Sequence, residues 1–218
     1  MSSASVWATT LLQTYDGITP GSDYLHVSRR HNTIPEMWPW TGDRKAISFT
    51  TDANSYQLDS ATLNLTLVEG TAFDFILGLY SDNGGHPRNS LFSFSNPGNF
   101  GVNSPSSYAS NVTFTAVGMV LSPSTTYWIV AEPSLSSSSY FLWSSGSFGS
   151  GYDTSPVQAS SGIAWEAWVT ESEASPSIVL NATLVPEPSV VALLLAGICA
   201  CRAVQKRRCY RDCFNNHS

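Results

Sequence analysis

The sequence predicts an all-β body, an antiparallel β-sandwich of jelly-roll type, followed by one short C-terminal transmembrane helix. Three observations carry this. Short stretches alternate apolar and polar residues along most of the 218-residue chain, with Gly, Pro, Asn and Ser between them. No stretch of the body shows a 3.6-residue apolar stripe, which excludes a helical core. One uncharged apolar run stands near the C-terminus, and a basic cluster follows it.

The first strand-like stretch is Thr9 to Tyr15. Leu63, Leu65 and Leu67 alternate with Asn64 and Thr66, as on a strand with one buried face. Phe73, Phe75, Leu77 and Leu79 repeat the pattern, and the Glu69-Gly70-Thr71 turn is expected to pair the two as a hairpin. Val112, Phe114 and Ala116 alternate with threonines, Tyr127 to Ala131 is apolar on both sides, and Ile163, Trp165, Ala167 and Val169 alternate around Glu166. Ile178, Leu180, Ala182 and Leu184 close the set. Asn96 to Ser110 and the Ser- and Gly-rich stretch Ser134 to Ser161 are expected to be long loops. No internal repeat is present, so a solenoid or propeller is disfavoured.

Composition narrows the function classes. Ser and Thr make up about a quarter of the residues and charged residues 12%, which suits an exported β protein, and the 12% of aromatics supplies too much burial for a disordered chain. Up to Pro188 five basic residues stand against fifteen acidic ones, a net −10, whereas beyond it five stand against one, a net +4. An acidic body does not attract phosphates, so nucleic acid is excluded as a partner. All four cysteines, Cys199, Cys201, Cys209 and Cys213, follow Pro188, so no disulfide can staple the body, and their spacing does not form a zinc site. The sequence calls for no metal and no cofactor.

Candidate chemistry is sparse. There is no Gly-x-Ser-x-Gly, no His-Glu-x-x-His and no phosphate-cradling glycine loop. His26 and His31 are five apart on an expected loop and read as surface residues. Asp82-Asn83-Gly84 offers oxygens to calcium, but it lacks a downstream bidentate Glu and has the composition of a tight turn. Asp59 and Glu166 are candidates for an acid and base pair, with solvent-facing strand positions as the plainer reading. Trp38, Trp40, Trp143 and Trp168 are candidates for a flat platform against sugar rings, although core packing absorbs most aromatics. The Asn-x-Thr sequons at Asn64, Asn111 and Asn181 are what polar strand faces produce by chance.

The most informative stretch begins at Val185-Pro186-Glu187-Pro188-Ser189. Two prolines around one residue end a strand ladder and hold the backbone extended. From Pro188 to Cys201 the uncharged run is 14 residues, short of the roughly 20 that cross a bilayer comfortably, but Arg202 can snorkel and extend a helix over 189–205. Arg202, Lys206, Arg207 and Arg208 then form a basic stop that places the C-terminal end in the cytoplasm and the acidic body outside.

Residues 185–208 resemble the PEP-CTERM sorting signal, a Pro-Glu-Pro motif, a short transmembrane helix and an arginine-rich end in that order. The resemblance implies that Pro186, Glu187 and Pro188 are substrate residues for an exosortase, an integral membrane cysteine transpeptidase that cleaves near the motif. This chain departs from the pattern in running on through a tail, residues 209–218. The body resembles choice-of-anchor R domains over about residues 46–170. The matching stretches are Ile47 to Thr51, Leu58 to Leu63, Leu79 to Gly85 and Leu121 to Trp128. That family lends no known activity.

At the other end residues 1–8 read as the remnant of a secretory signal, because Val6-Trp7-Ala8 satisfies the small-residue rule before a cleavage point, with the true start expected upstream. The expectation is therefore a β body over 9–184 with a disposable anchor. It is exported and non-enzymatic, an inner-membrane-anchored precursor delivered to the cell surface or an exopolysaccharide matrix. A secreted carbohydrate-binding module and a secreted hydrolase with a noncontiguous site are the alternatives.

Overall fold

The strands of the body form one antiparallel sheet that curls back on itself. In the computed structural model the described residues are 8–14, 24–31, 40–98, 109–134, 138–144, 158–162, 169–171 and 176–186. The chain divides into two units, 1–184 and 185–218, and in the second only Val185 and Pro186 are described. In chain order the strands are β1 (Ala8–Gln13), β2 (Tyr24–His31), β3 (Trp40–Thr50), β4 (Tyr56–Glu69), β5 (Phe75–Asp82), β6 (Pro87–Ser93), β7 (Ser110–Thr115), β8 (Val120–Leu121), β9 (Thr126–Pro133), β10 (Ser139–Ser144), β11 (Gln158–Gly162), β12 (Val169–Glu171) and β13 (Ile178–Leu184).

Hydrogen bonding connects them in the order β1-β13-β4-β10-β2-β3-β9-β5-β6, with β7 and β8 on β4, β11 on β3 and β12 on β11. Beyond β6, Ser95 pairs with Thr115 of β7: its N–H donates to the Thr115 carbonyl at 2.8 Å and its carbonyl accepts from the Thr115 N–H at 3.2 Å. Because β7 lies against β4, this single bridge completes the circuit.

β4 is the hinge of the arrangement. Residues 56–63 pair with β13, and Leu65 to Glu69 pair with β10. Its side-chain phase changes along the way, with Tyr56 and Leu58 buried first, then Ala61, Leu63, Leu65 and Leu67. A one-residue change of phase in a strand needs an extra residue, and the register supplies it: Ala182 faces Leu58 while Asn181 faces Ser60, leaving Asp59 unpaired as a bulge.

The core lies inside the curl. Phe75 of β5 meets Phe114 of β7 at 5.4 Å between ring centroids and Phe141 of β10 at 5.1 Å, so strands far apart along the sheet face each other. β9 is buried on both faces: Tyr127, Ile129 and Ala131 join the main core, while Trp128 and Val130 form a smaller cluster with Ala46 on the other side. That explains why Tyr127 to Ala131 reads as a continuous apolar run.

Two expectations are corrected. β4 and β5 do not form a hairpin. The Asp74 carboxylate accepts the Thr71 N–H and hydroxyl, both at 2.8 Å, fixing a 3-10 turn at Ala72–Asp74 that redirects the chain and leaves Phe73 outside the strand and exposed. The expected loop Ser134 to Ser161 contains β10, whose Phe141 and Trp143 are fully buried, and β11. Of the expected strand from Ile163 to Val169, only Val169 is described, at the start of β12. The other expected loop, Asn96 to Ser110, is described up to Gly98 and again from Ala109, and its last residue, Ser110, already belongs to β7.

Candidate functional site

The Pro186-Glu187-Pro188 motif follows directly in sequence from the last strand. Along β13, Ile178, Leu180 and Ala182 are buried in the core, and the Thr183 hydroxyl donates to the Asp59 carboxylate at 2.7 Å. Pairing runs to Leu184, which faces Tyr56. Val185 is half-buried and Pro186 exposed. Lacking an N–H, Pro186 cannot extend the ladder. Glu187, Pro188, the expected helix 189–205 and the basic cluster Arg202, Lys206, Arg207 and Arg208 lie outside the described residues. Among the described residues no helix is long and apolar enough to cross a membrane.

The tryptophan platform is not assembled as expected. Trp143 is a core residue with no exposed surface, and its indole N–H donates to the Ser177 carbonyl at 2.9 Å. A ring buried on both faces presents nothing to a sugar, so Trp143 is removed from the candidate set. Trp40 begins β3, paired with His31, and Trp38 and Trp168 lie outside the described residues. His26 and His31 both fall in β2 and not on a loop, because the β3 and β10 ladders extend this stretch by pairing. Asp59 is the bulged residue that accepts from Thr183, and Glu166 lies outside the described residues. Among the described residues no group of three or more His, Cys, Asp and Glu is placed to hold a metal.

The Asp82-Asn83-Gly84 stretch adopts the tight-turn form. The Asp82 carboxylate accepts the Gly85 N–H at 3.1 Å and the Trp128 indole N–H at 2.8 Å, and the Asn83 N–H donates to the His86 carbonyl at 2.8 Å. Gly84 and Gly85 have φ of 65° and 89°, the left-handed region that favours glycine.

Beside this turn is a polar group that sequence reasoning missed. Tyr80 of β5 stands across from Trp128 of β9, and its ring lies over Gly78, where a Cβ would come within 2.7 Å of the ring. The absence of a side chain at that mid-strand position is what lets the ring lie flat. The Tyr80 hydroxyl donates to Glu132 at 3.0 Å, and Glu132 is 3.8 Å from the Arg44 guanidinium of β3. Burial first, then the charge of Glu132 and the hydrogen bond to it, push the Tyr80 phenol up to about 12. The group links three strands through a protonated phenol and an engaged carboxylate, which suits a clamp better than a base. Its sequence signal is local only in part: Tyr80 and Asp82 share β5, whereas Arg44 and Glu132 come from β3 and β9.

The raised phenol pKa makes a pH prediction. A folded pKa above the unfolded value of 10.0 contributes stability that is complete below pH 10 and is lost as pH rises toward about 12. Tyr80→Phe is expected to cost about 1.5–3 kcal/mol at neutral pH, as for a hydrogen bond to a charged group. The gap between wild type and variant should narrow through that alkaline window, as read by urea denaturation at a series of pH values. A gap that stays constant there would refute the assignment.

Two of the three sequon asparagines meet in a way no linear reading reveals. Asn64 faces Asn111 across β4 and β7, its side-chain amide donating to the Asn111 amide oxygen at 3.0 Å. Asn181, on the neighbouring β13, accepts the Thr10 hydroxyl at 3.2 Å. With Thr62 and Thr113 bonded at 2.9 Å, these make an uncharged cross-strand ladder that stabilises the sheet.

The chain matches no protein-family model, and no curated protein is found as a relative.

Proposed function

We propose that this is an exported, non-enzymatic protein of the bacterial cell surface or exopolysaccharide matrix, held first in the inner membrane by its C-terminal segment. An exosortase, its transient partner, then processes it at Pro186-Glu187-Pro188. The observation that carries the reading is the order of features after the last strand: a Pro-Glu-Pro motif, an uncharged run and a basic stop, beginning within two residues of Leu184. The exposed Pro186 supports it, because a membrane enzyme needs an extended backbone free of a ladder. For the body we propose a jelly-roll-like sandwich, in which the two stretches of β4 serve two facing layers; the contact of Phe75 with Phe114 across the core supports this.

The test is expression of the full chain with and without an exosortase, with intact masses of the membrane and released fractions. Wild type is expected to lose residues after the motif only when the enzyme is present. The Pro186→Ala/Pro188→Ala variant should remain full-length and membrane-bound. Equal shedding by both would show that the motif is not the recognition element; shedding by neither would reduce the segment to a plain anchor.

A further inference from the structure

The turn between β5 and β6 holds the only Asn-Gly pair of the chain, Asn83-Gly84. In such a pair the glycine nitrogen can attack the asparagine side-chain carbonyl, because no Cβ stands in its way. The folded turn leaves this route open. Asn83 and Gly84 are exposed, and a Cβ built at Gly84 would meet nothing within 4 Å, so the Asn83 side chain has room to swing. The hydrogen bonds of the turn pass the attacking group by. The Asn83 N–H donates to the His86 carbonyl at 2.8 Å and the Gly85 N–H to the Asp82 carboxylate at 3.1 Å. The Gly84 N–H has no partner among the described residues. The Arg88 guanidinium of β6 donates to the Asn83 amide oxygen at 3.4 Å. A guanidinium can only donate, so it stands where negative charge would develop on that oxygen.

The other described asparagines lack this combination. The Asn54 amide nitrogen is bonded to both oxygens of Asp52, at 3.0 and 3.1 Å. Asn64, Asn89, Asn111 and Asn181 lie within strands and precede residues larger than glycine. Asn96 precedes Pro97, which has no N–H to attack with.

We propose that Asn83 is a modification site, converted in the folded protein to aspartate and isoaspartate by the Gly84 nitrogen, with Arg88 holding the oxyanion. The Gly84 N–H gives its proton to hydroxide, and the nitrogen bonds to Cγ of Asn83. The tetrahedral oxyanion collapses, and Nδ2 takes a proton from water and leaves as ammonia. Water then opens the cyclic imide: attack at Cγ gives aspartate, and attack at the backbone carbonyl gives isoaspartate. Water is the only co-reactant, and nothing is oxidised or reduced.

Isoaspartate carries the chain through Cβ and Cγ, which puts an extra backbone atom inside the turn closed by the Asn83 to His86 bond. The new carboxylate also stands next to Asp82, which holds the Trp128 indole. β6, an end strand in the hydrogen-bonding order, is therefore expected to loosen from β5 as the protein ages.

The experiment warms the full chain in mildly alkaline buffer, samples it over weeks and compares it with an unaged control by peptide mass spectrometry. Chymotryptic cleavage after Tyr80 and Phe92 leaves Asn83 and Asn89 in one peptide, so Asn89 is an internal reference. Fragmentation separates aspartate from isoaspartate. Asn83 is expected to convert at least an order of magnitude faster than Asn89, with isoaspartate the major product. Arg88→Gln should slow the conversion several-fold, and Asn83→Gln should abolish it. Conversion no faster than at Asn89, or only after unfolding in urea, would overturn the site. Equal rates in wild type and Arg88→Gln would overturn the role of Arg88. Amide hydrogen exchange over β6 should quicken several-fold in the aged protein but not in Asn83→Asp, which adds the charge without the extra backbone atom. Unchanged exchange after ageing would overturn the loosening.

Discussion

Replacing Trp143 with alanine is expected to destabilise the body by about 3–5 kcal/mol, the range for removing a large aromatic from a packed core. The side chain has no exposed surface and packs in the same core as Leu65, Phe141 and Ile178. Its indole also ties β10 to the start of β13 through Ser177, whose own N–H donates to the Ser144 carbonyl at 2.7 Å. Deletion thus opens a cavity and takes the shorter of two donors from the buried Ser177 carbonyl, leaving it the Asn64 N–H at 3.4 Å, where two strands meet along one edge of β4. Trp143→Phe keeps most of the volume and should cost clearly less. Urea denaturation of the three proteins measures both; a loss under about 1 kcal/mol for Trp143→Ala would mean the residue is not the core element described here.

Phe75→Ala is expected to cost a similar amount, about 3–5 kcal/mol, for a different reason. Phe75 joins β5 to β7 and β10 across the interior, at 5.4 and 5.1 Å from Phe114 and Phe141. A double-mutant cycle with Phe114→Ala separates the contact from simple loss of volume. Coupling of about 0.5–1.5 kcal/mol is expected if the rings hold the curl together, and additive losses would show that they do not.

What could be read from sequence divides along physical lines. β7 and β13 were legible because each has a regular alternation with one buried face, and β9 because both its faces are apolar. β10 was hidden: Tyr140 to Trp143 is a short apolar stretch in a serine-rich surround, and only its pairing with β2 and β4 makes it a strand. The β4 to β5 connection was misread because the alternation of Phe73 with Phe75 continues across a turn fixed by the Asp74 side chain. The Pro186-Glu187-Pro188 motif is contiguous and so needs no fold to be seen. The clamp of Arg44, Tyr80 and Glu132 is spread over three strands, and nothing local places an arginine of β3 beside a glutamate of β9. Partner choice in a sheet is a long-range property, which is also why the meeting of Asn64 with Asn111 was invisible.

The pairing of β1 with β13 joins the two ends of the body, Ala8 to Thr183 and Gln13 to Val179. A chain that emerges N-terminus first, whether from a ribosome or through a translocation channel, therefore presents its first strand long before that strand's partner exists. Docking of β1 waits for almost the last residue of the body, and contacts so distant in sequence form slowly. The circuit from β4 round to β7 needs neither β1 nor β13, so it can close first and leave the β1 to β13 pair as the last addition to the sheet.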